Sequence, residues 1–575
     1  METKTFKRLP YGNSDFKDIM LSNYAYVDKT RYIEMLEAES NRNQFFIRPR
    51  KFGKSLFFTT LLYYYDLREA ENFDRLFGSL YIGRHPTPER NAYAVMKFDF
   101  SGMDTSSEED FRISFSRNVQ NTVRLFFRLY RDSFSEPDNY VCRIDAQNPG
   151  VEAIDLAFDA ATADGVKLFI IIDEYDHFAN DLIAMGNRLG KDMYRAMVAA
   201  NGLVRDFYER IKMAAKTSIV HRTFITGVSP VMLDDLTSGY NIATILTLNP
   251  KYNEMMGFTQ AEVERLMTET GVDPAMICVD MEAYYNGYLF HPDGENRVYN
   301  PTMVLYFFEQ LRSFGKVPEN IVDQNLKTDY GRLRRLVQHE DNRETLIGIM
   351  KKDGIVSEVL EKFSIDRMND GRYFVSLLFY MGLLTVRERQ LTGISLCIPN
   401  YSIRTLYWEY LSELAAETSP DMQVEYRPLN DAIVALAMEG NLPGFIRYVS
   451  EKAFSKLSDR DLRRFDEKYI QILLLAYLFM SKIYVPMSEY ETVPGHADIY
   501  LQRHPLLPQV RYEWIMELKY CKATATEAEI AARRDRAVEQ VREYIRAHRM
   551  ESRVDLKAAA IVFIGKDRFE ITEVS

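Results

Sequence analysis

The stretch Arg48-Pro49-Arg50-Lys51-Phe52-Gly53-Lys54-Ser55 decides the fold of the N-terminal part of this chain. It follows a short apolar run, Gln44-Phe45-Phe46-Ile47, which suits a buried strand. The helix that we predict after it begins with Ser55-Leu56-Phe57-Phe58-Thr59-Thr60-Leu61-Leu62. A basic turn with a glycine between a strand and a helix suits an anion, because the free amides of the first helical turn point toward it.

The end of this stretch, Gly53-Lys54-Ser55, meets three requirements of a triphosphate-binding P-loop. Glycine lets the backbone approach a phosphate, lysine places a positive charge on the β- and γ-phosphates, and the serine hydroxyl can complete a magnesium shell. Arg48 stands where the usual P-loop has its first glycine, and this arginine either contacts phosphate or is solvated. The predicted nucleotide-binding residues of the turn are Arg50, Lys51, Phe52, Gly53, Lys54, Ser55 and Leu56, with Ser55 also a magnesium ligand.

A second motif, Ile170-Ile171-Ile172-Asp173-Glu174, is an apolar strand that ends in two acids. In P-loop NTPases the first such acid supports magnesium, and the second can polarise the attacking water. We therefore predict that Asp173 binds the nucleotide and its metal and that Glu174 is catalytic. The alternative is a turn and a solvated acidic strand end, but the two motifs occur in the expected order and each follows a hydrophobic strand.

Apolar runs and helical stretches alternate along the first 250 residues. The runs have the continuous apolar character of central parallel strands, and they cover 44–47, 94–100, 167–173 and 222–228. Helical patterns lie between them, around 111–130 and 194–212. This alternation, with polar residues at the strand ends, predicts an α/β fold with a parallel sheet.

Three polar residues at strand ends have two interpretations each. Thr226 ends one strand, where its hydroxyl could sense a γ-phosphate or only cap a turn. Asp99 and Ser101 end another strand, and they either line the nucleotide crevice or serve the structure.

After about Pro250 the pattern becomes mostly helical. Thr259-Gln260-Ala261-Glu262 has the form of a capping box at the start of a helix. Further along, several helices precede a predicted hairpin made of 383–387 and 394–398. Helices followed by a two-stranded wing suggest a winged-helix module.

The C-terminal part contains a second constellation of charged residues. Gly495-His496-Ala497-Asp498-Ile499-Tyr500-Leu501 and Tyr512-Glu513-Trp514-Ile515-Met516-Glu517-Leu518-Lys519 are predicted strands on either side of a proline-marked turn. In a strand, Glu517 and Lys519 share one face, because they are two residues apart. If the strands pair as a hairpin, Asp498 approaches Glu517, and the two carboxylates can hold a hard divalent cation.

We predict that Asp498 and Glu517 are metal ligands and that both are catalytic together with Lys519. Lys519 can orient or help deprotonate the attacking water, while the metal stabilises charge on the phosphate. The alternative is a simple ion pair on an edge strand, but the flanking apolar residues indicate a buried strand, where charges are costly unless paired or metal-bound. Glu489 is a candidate extra acid, or is only solvated, and Gln540 is a candidate neighbour of the metal centre.

Two further features near this constellation have simple alternatives. Glu467, on the preceding helix, is another candidate acid, although a solvated position explains it equally simply. The following helix carries arginines interspersed with acids, at 533, 534, 536, 542, 546 and 549. Such a run is usually a solvated face with ion pairs one turn apart, and contact with a DNA backbone is the alternative.

The chain resembles the bacterial AAA-ATPase-like family. The motifs that carry the resemblance are Tyr26-Val27-Asp28-Lys29-Thr30, 48–55, Ile172-Asp173-Glu174-Tyr175-Asp176, Thr226-Gly227-Val228-Ser229-Pro230, Tyr285-Asn286-Gly287-Tyr288 and Val298-Tyr299-Asn300-Pro301. Members commonly carry a C-terminal PD-(D/E)XK nuclease-superfamily domain. Gly495-His496-Ala497-Asp498, Glu517-Leu518-Lys519 and Ala537-Val538-Glu539-Gln540 are similar to the core motifs of that domain. Arg48 looks like the family's own variant of the P-loop.

The resemblance implies four modules and two cofactors, ATP and Mg²⁺. The modules are a P-loop NTPase core (1–255), a helical lid (256–325), a winged-helix-like module (326–418) and a restriction-endonuclease-like α/β domain (419–575). It assigns nucleotide and magnesium binding to Lys54, Ser55, Asp173 and Glu174, and phosphodiester cleavage to Asp498, Glu517 and Lys519. Gln540 matches a helix position often found near such nuclease centres.

Composition limits the remaining possibilities. The formal charge of −11 excludes a polycation, so any nucleic-acid site must be a local basic surface. The four cysteines are far apart without a CxxC pair, which argues against a disulfide framework or a cysteine-based zinc site. The N-terminus has no signal-like apolar region, and the longest apolar stretch, 470–480, is shorter than the roughly 20 residues of a membrane helix. We therefore expect a cytoplasmic protein with no membrane partner.

The leading hypothesis is an ATP-hydrolysing protein whose nucleotide state controls a Mg²⁺-dependent DNA nuclease in the same chain. The alternative is a nucleotide-switched regulator that binds DNA or protein through a nuclease-like fold without cutting. DNA is the expected partner in the leading hypothesis, and assembly into a homo-oligomer is left open.

Overall fold

The computed structural model divides the chain into two compact units. One unit comprises 1–349 and 353–401, and the other comprises 350–352 and 402–575. The structure describes residues 6–148, 150–185, 188–198, 202–234, 240–277, 279–318, 320, 322–323, 340–362, 371–418, 426–454, 466–481, 483–491, 496–504, 507–547 and 555–574.

The first unit is built around a five-stranded sheet. Its strands are β1 (Asn43–Ile47), β2 (Ala94–Asp99), β3 (Leu168–Asp173), β4 (Val220–Gly227) and β5 (Thr244–Ile245). All neighbouring pairs are parallel, and the order is β2-β3-β4-β1-β5. The predicted parallel α/β fold is therefore confirmed. The strand before the P-loop is separated from the strand with the two acids by β4.

Helices of this unit connect and follow the strands. They are α1 (Phe16–Leu21), α2 (Arg31–Ala38), α3 (Lys54–Tyr65), α4 (Phe73–Phe77), α5 (Tyr81–Arg84), α6 (Glu108–Leu129), α7 (Pro137–Gln147), α8 (Ala153–Asp164), α9 (His177–Met185), α10 (Arg188–Val198), α11 (Leu203–Lys216), α12 (Gln260–Thr270), α13 (Met281–Tyr285) and α14 (Pro301–Phe314). The long α6 begins where the Ser107 hydroxyl accepts the amide of Asp110, with three acids in the first turn that favour the helix N-terminus.

The predicted helical stretch around 194–212 contains parts of two described helices. Helix α10 is described up to Val198, and α11 begins after Gly202. At Gly202 a side chain would lie 2.1 Å from the carbonyl oxygen of Met197. Only glycine allows this close approach.

Short elements follow the last strand of the parallel sheet. The predicted capping box is present at the start of α12, where Glu262 accepts the amide of Thr259 at 2.8 Å. Beyond α14 the described elements are α15 (Glu340–Lys352), β6 (Ile355–Ser357), α16 (Gly371–Tyr380), β7 (Thr385–Gln390) and β8 (Gly393–Cys397). The strands β7 and β8 pair as the predicted antiparallel hairpin. The strand β6 pairs with the other edge of β8, also antiparallel. The winged-helix assignment and the module boundaries remain predictions.

The second unit combines helices with a mixed five-stranded sheet. Its elements, including one helix that starts at the unit boundary, are α17 (Tyr401–Thr418), α18 (Tyr426–Glu439), α19 (Leu442–Lys452), α20 (Glu467–Phe479), β9 (Tyr484–Glu491), β10 (His496–Arg503), β11 (Glu513–Cys521), α21 (Glu527–Ala547), β12 (Leu556–Ile564) and β13 (Arg568–Val574). The order is β13-β12-β11-β10-β9, and only β11 and β12 are parallel.

Helix α21 covers one face of this second sheet. Val541 and Tyr544 on the helix pack with Tyr500, Ile515 and Ala558 on three of the strands. The strands at 496–503 and 513–521 agree with the sequence prediction, and so does the long charged helix. In the part of the chain that the structure describes, the helices are too short or too polar to cross a membrane.

Candidate functional site

The P-loop adopts two left-handed backbone conformations. Gly53 caps the N-terminus of α3 with φ +92°, and Lys51 has φ +66°. Open space surrounds the position where a Gly53 side chain would begin, so the backbone conformation, and not crowding, requires glycine there. These turns direct the loop around the first amides of α3, where an anion is favoured.

Lys54 lies at the first position of α3, and its ammonium group is buried. Its Nζ donates to the carbonyl oxygens of Arg48 and Pro49 at 3.0 and 2.9 Å. Burial lowers the pKa of Lys54 to about 8, although the charges of Asp173 and Glu174 oppose this shift. The lysine is thus held against its own loop, with two acids near enough to favour its charge.

The two acids at the end of β3 have different environments. Asp173 is 6% exposed, and burial raises its pKa to about 6 against the opposing charge of Lys54. Glu174 adopts a left-handed conformation with φ +49°, and a hydrogen bond with His177 is the main cause that lowers its pKa. The register places Asp99 of β2 directly beside Asp173, so that two strand ends contribute acids to the same edge.

A cavity of about 560 Å³ opens beside the P-loop. Its lining includes all seven predicted nucleotide-binding residues of the turn, 50–56, and also Glu174. Apolar side chains that sequence analysis did not assign to the site line it as well: Tyr26, Met255, Met256, Phe258 and Leu305. A polar, basic end beside an apolar wall matches the two ends of a nucleotide, and the volume is within the range of ordinary ligand pockets.

Three predicted residues do not belong to the lining of this cavity: Arg48, Asp173 and Thr226. The hydroxyl of Thr226 is fully buried and donates to the carbonyl oxygen of Phe46 at 2.7 Å. This bond joins β4 to β1, which is a contact within the sheet. The sensor role of Thr226 therefore remains a prediction.

Arg48 is buried beneath the loop. Its guanidinium donates to the carbonyl oxygens of Ile47, Thr247 and Tyr252 at 2.8–3.0 Å. The same group lies 4.2 Å from the ring centre of Phe46 and 4.0 Å from that of Phe290. Burial lowers the pKa of Arg48 to about 9. The structure thus places this side chain where it braces the strand end and the following segments.

Aromatic contacts connect the P-loop to the segment 371–397, which contains α16, β7 and β8 and is called the hairpin module below. Phe52 packs edge-on against Tyr288 at 4.8 Å, and Phe290 contacts Phe379 of α16 at 6.1 Å. Gly382, between α16 and β7, lies so close to the loop that a side chain there would approach the Pro49 Cβ to 2.9 Å. The phosphate loop therefore has a direct packing contact with the helix and hairpin that follow it in the chain.

Asp176 is a buried acid that the sequence interpretation left without a role. Its carboxylate accepts the amides of Val228 and Ser229 at 3.1 and 2.7 Å, and also the Ser229 hydroxyl at 2.9 Å. At Gly227 a side chain would lie 2.2 Å from this carboxylate. Asp176 thus ties the loop after β4 to the acidic end of β3. A signal was present in the sequence, since both segments are motifs of the family resemblance.

The second site lies on β10 and β11. Ile499 pairs with Met516 in the antiparallel register, so Asp498 stands opposite Glu517. The Asp498 carboxylate accepts the amide of Leu518 at 2.8 Å. Burial raises the pKa of Asp498, and it raises the pKa of Glu517 to about 7 with a further contribution from the Asp498 charge. The predicted approach of the two carboxylates is therefore present.

Lys519 completes this group. Its Nζ donates to Glu517 at 2.7 Å and to Glu467 at 3.3 Å, and it also donates to the Leu518 carbonyl at 3.0 Å. Burial would lower the pKa of Lys519, but the neighbouring carboxylates outweigh it and the net direction is upward. Glu467, at the first position of α20, therefore lies at the site, as expected for the candidate acid of the sequence analysis.

One oxygen of this site has no partner. Oε2 of Glu517 is buried and makes no hydrogen bond within the described part of the chain. A buried carboxylate oxygen without a donor is costly, and a divalent cation is one way to satisfy it. Asp498 and Glu517 would hold such an ion, because hard cations prefer carboxylate oxygens. Among the described residues, no group of three or more histidine, cysteine or acidic side chains is arranged around a metal position.

The supporting residues are partly accounted for. Nε2 of Gln540 donates to the hydroxyl of Tyr544 at 3.4 Å, and the charges of Glu517 and Asp498 raise the pKa of Tyr544 further beyond the effect of burial. Tyr544 on the covering helix thus lies near the two acids, and Gln540 contacts Tyr544 from the same helix. The strand register places Glu489 opposite Asp498, but its side chain lies outside the described residues. The sequence analysis did not identify Tyr544, although this residue follows Gln540 by one helical turn.

Three of the predicted arginines have local partners, and Arg549 lies outside the described residues. Arg533 donates to the carbonyl oxygen of Tyr520 at 2.7 Å, and Arg542 lies 3.7 Å from Glu539 on the same helix. Arg534 lies 3.7 Å from Glu570. These contacts agree with the interpretation of a solvated, ion-paired face.

Comparison with protein families matches both sites to known domains. Residues 10–237 match the family model of a predicted AAA-ATPase, and residues 465–573 match that of the PD-(D/E)XK nuclease superfamily. The chain carries an AAA-ATPase-like domain and a PD-(D/E)XK nuclease-superfamily domain. The first match contains the P-loop and both acids of β3, and the second contains Asp498, Glu517 and Lys519.

Individual relatives are more distant. An uncharacterized protein in the vnfD 5′ region of Azotobacter chroococcum is 25% identical over 307 residues, which are 53% of this chain and 52% of that protein. The chain thus spans about half the length of the curated relative that it matches.

Two solved structures are also similar to this chain. A Walker-type ATPase of Pyrococcus abyssi has a TM-score of 0.37 at 13% identity, and the match covers 66% of this chain and 94% of that one. The ORC1 protein of Aeropyrum pernix, solved in complex with DNA, has a TM-score of 0.27 at 11% identity, and the match covers 72% and 100%. Both scores are too low to establish a common fold.

Proposed function

We propose that this protein binds and hydrolyses ATP in the AAA-ATPase-like domain and that its nucleotide state controls metal-dependent DNA cleavage by the nuclease-like domain. The observation that carries the proposal is the buried pair Asp498 and Glu517, with an unpartnered carboxylate oxygen and Lys519 at 2.7 Å. Such a group is costly to bury in an inert fold, because each acid hinders ionisation of the other.

At the nucleotide site, the chain offers each group that phosphoryl transfer needs. The ammonium of Lys54 can exchange the carbonyl oxygens of Arg48 and Pro49 for phosphate oxygens with a short movement of one side chain. Ser55 and Asp173 would hold Mg²⁺, which supplies charge neutralisation at the β- and γ-phosphates when bound. Glu174, which lines the cavity, accepts a proton from the attacking water.

At the nuclease site, Asp498 and Glu517 would hold Mg²⁺, which supplies stabilisation of the charge that develops on the phosphodiester. Lys519 lies beside Glu517, so its ammonium can orient a water molecule toward the phosphorus atom. The net upward direction of the Lys519 pKa keeps this group charged, which favours water orientation over proton abstraction.

Control by nucleotide is supported by the packing of the first unit. Phe52 of the P-loop contacts Tyr288, and Pro49 lies against Gly382 at the start of the hairpin. A change in the loop on nucleotide binding therefore acts directly on the hairpin module. We propose that this module relays the nucleotide state to the nuclease.

Purified full-length protein tests the proposal with plasmid DNA, Mg²⁺ and ATP. We expect nicking or linearisation that requires Mg²⁺, and loss of cleavage in Lys519→Ala and Glu517→Gln with ATP binding unchanged. Lys54→Ala should lose ATP binding and the nucleotide dependence of cleavage. Arg568→Ala, which removes an exposed arginine paired with Glu527 and Glu570, is the matched control and should cut normally. Cleavage that persists in Lys519→Ala removes this lysine from the mechanism.

A second candidate function is a nucleotide-switched regulator that binds DNA or protein without cutting. The net charge of −11 and the local pairing of the α21 arginines favour it. ATP-dependent DNA retention by wild-type protein, with no metal-dependent cleavage, would support this function over the first.

A further inference from the structure

A chain of three titratable side chains starts at the catalytic acid of the ATPase site. Nδ1 of His177 lies 3.0 Å from Oε2 of Glu174, and Nε2 of the same ring lies 3.3 Å from Oδ2 of Asp181. His177 is the first residue of α9, and Asp181 follows one turn later. The imidazole thus stands between two carboxylates, and each ring nitrogen lies within 3.3 Å of a carboxylate oxygen.

The hydrogen bonds that an imidazole can donate depend on its protonation. A neutral ring has one N–H and can donate to only one of the two acids, whereas an imidazolium ion donates from both nitrogens. A protonated ring is attracted to both flanking carboxylates. The side chains are 20% exposed for His177 and about one third exposed for Glu174 and Asp181, so the attraction is only partly screened.

Glu174 needs a partner that fixes its orientation. Its backbone has φ +49°, a conformation that a residue with a side chain adopts only at a cost. One carboxylate oxygen faces His177, while the residue also lines the cavity beside the P-loop. An acid that activates water must present one oxygen at a defined position, and a partner on the other oxygen provides this.

We propose that His177 is a positioning residue for ATP hydrolysis, which holds Glu174 toward the cavity and is itself held by Asp181. This inference rests on the proposed function and adds a residue to it. Asp181 orients the ring through its second nitrogen.

If His177 and Asp181 form only a structural ion pair, a different result is expected. Ion pairs one turn apart on a helix contribute little to stability, and the loss of such a pair would lower the melting temperature slightly without an effect on kcat. The chain offers a matched control in Arg205 and Glu209 on α11, which lie 2.9 Å apart with the same spacing as His177 and Asp181.

The test measures steady-state ATP hydrolysis and nucleotide affinity of the full-length protein with Mg²⁺. We expect His177→Ala to lower kcat by about 10- to 100-fold while the Kd for ATP changes less than about twofold, because only the orientation of the base is lost. His177→Gln keeps one donor and should restore part of the rate. Asp181→Asn should have a smaller effect of the same kind, and Arg205→Ala should leave kcat and Kd unchanged.

Two outcomes would overturn this role. One is a wild-type kcat in His177→Ala, and the other is a parallel loss of kcat, affinity and thermal stability that His177→Gln does not relieve. An absence of ATP hydrolysis in wild-type protein would overturn the proposed function itself, together with the role that depends on it. The wild-type measurement therefore separates the two failures.

Discussion

At the scale of single residues, Glu517 is the group whose environment has the clearest consequence. It is 2% exposed beside Asp498, and its pKa rises from 4.5 to about 7. Between these values the folded protein retains a proton that the unfolded chain has released. The free energy of unfolding therefore falls as pH rises from about 4.5 to 7, by at most roughly 1.4 kcal/mol per pH unit from this group.

The first prediction concerns the pH dependence of stability. Metal-free wild-type protein should lose thermal stability from pH 5 to 7 relative to Glu517→Gln, since glutamine cannot ionise. Added Mg²⁺ should recover the loss near pH 7, because the ion requires the ionised carboxylate. Scanning calorimetry of both proteins, with Glu570→Gln as a half-buried control outside the site, provides the measurement. Parallel pH curves for wild type and Glu517→Gln would contradict the burial of an ionisable pair.

Thr226 permits a second prediction at this scale. Its hydroxyl donates to Phe46 at 2.7 Å in the sheet, so Thr226→Val should lower the free energy of unfolding by about 1 kcal/mol. ATP hydrolysis per folded molecule should stay close to that of wild type. Denaturant unfolding and a hydrolysis assay measure the two effects. A large fall in kcat with unchanged stability would instead favour the sensor role.

At the scale of elements, the contact between the P-loop and the hairpin module depends on a glycine. Gly382 has φ +75°, and a side chain at this position would meet Pro49. We expect Gly382→Ala to weaken ATP binding as well as stability, because the loop must shift. The free energy of unfolding should fall by more than the roughly 1–2 kcal/mol that left-handed alanine costs alone.

Gly165 is the matched control for this prediction. It caps α8 with φ +65°, and open space surrounds its position, so Gly165→Ala pays the backbone cost without a clash. Isothermal titration with ATP and thermal unfolding of both variants separate the two effects. Equal losses of stability in the two variants, with ATP affinity unchanged in both, would show that ATP binding by the P-loop does not depend on its contact with Gly382.

At the scale of the whole molecule, the two sites lie in different compact units of one chain. If nucleotide state controls the nuclease, the coupling between the two binding events must be reciprocal. An ATP analogue that is not hydrolysed should change the Kd for DNA by a factor, and DNA should change the Kd for the analogue by the same factor. Typical couplings predict about 5- to 150-fold.

Fluorescence titrations in both directions test this fourth prediction. Glu517→Gln avoids DNA cleavage during the measurement, and Lys54→Ala should abolish the effect of nucleotide. Titrations at two salt concentrations are needed, because contacts with phosphate weaken steeply as salt rises. If the Kd for DNA does not change with the analogue, and the Kd for the analogue does not change with DNA, nucleotide state does not control the nuclease-like domain.

The sequence by itself determined most of the helices and strands and indicated the candidate residues of both sites. Continuous apolar runs end in the residues that are predicted to bind phosphate or metal, and such patterns are local in the chain: the P-loop, Asp173-Glu174 and Glu517-Leu518-Lys519 are examples. Hydrophobic periodicity also predicted the hairpin of β7 and β8. These features depend on neighbouring residues, so a single sequence is enough to find them.

The tertiary structure decided which side chains meet. Arg48 braces the strand end, Thr226 bonds to the neighbouring strand, and Tyr544 lies beside the nuclease acids. The close approach at Gly202 and the apolar wall of the cavity beside the P-loop also required it. Each of these features depends on contacts between segments far apart in the chain or on packing density. Such contacts and packing leave no periodic signal in the sequence.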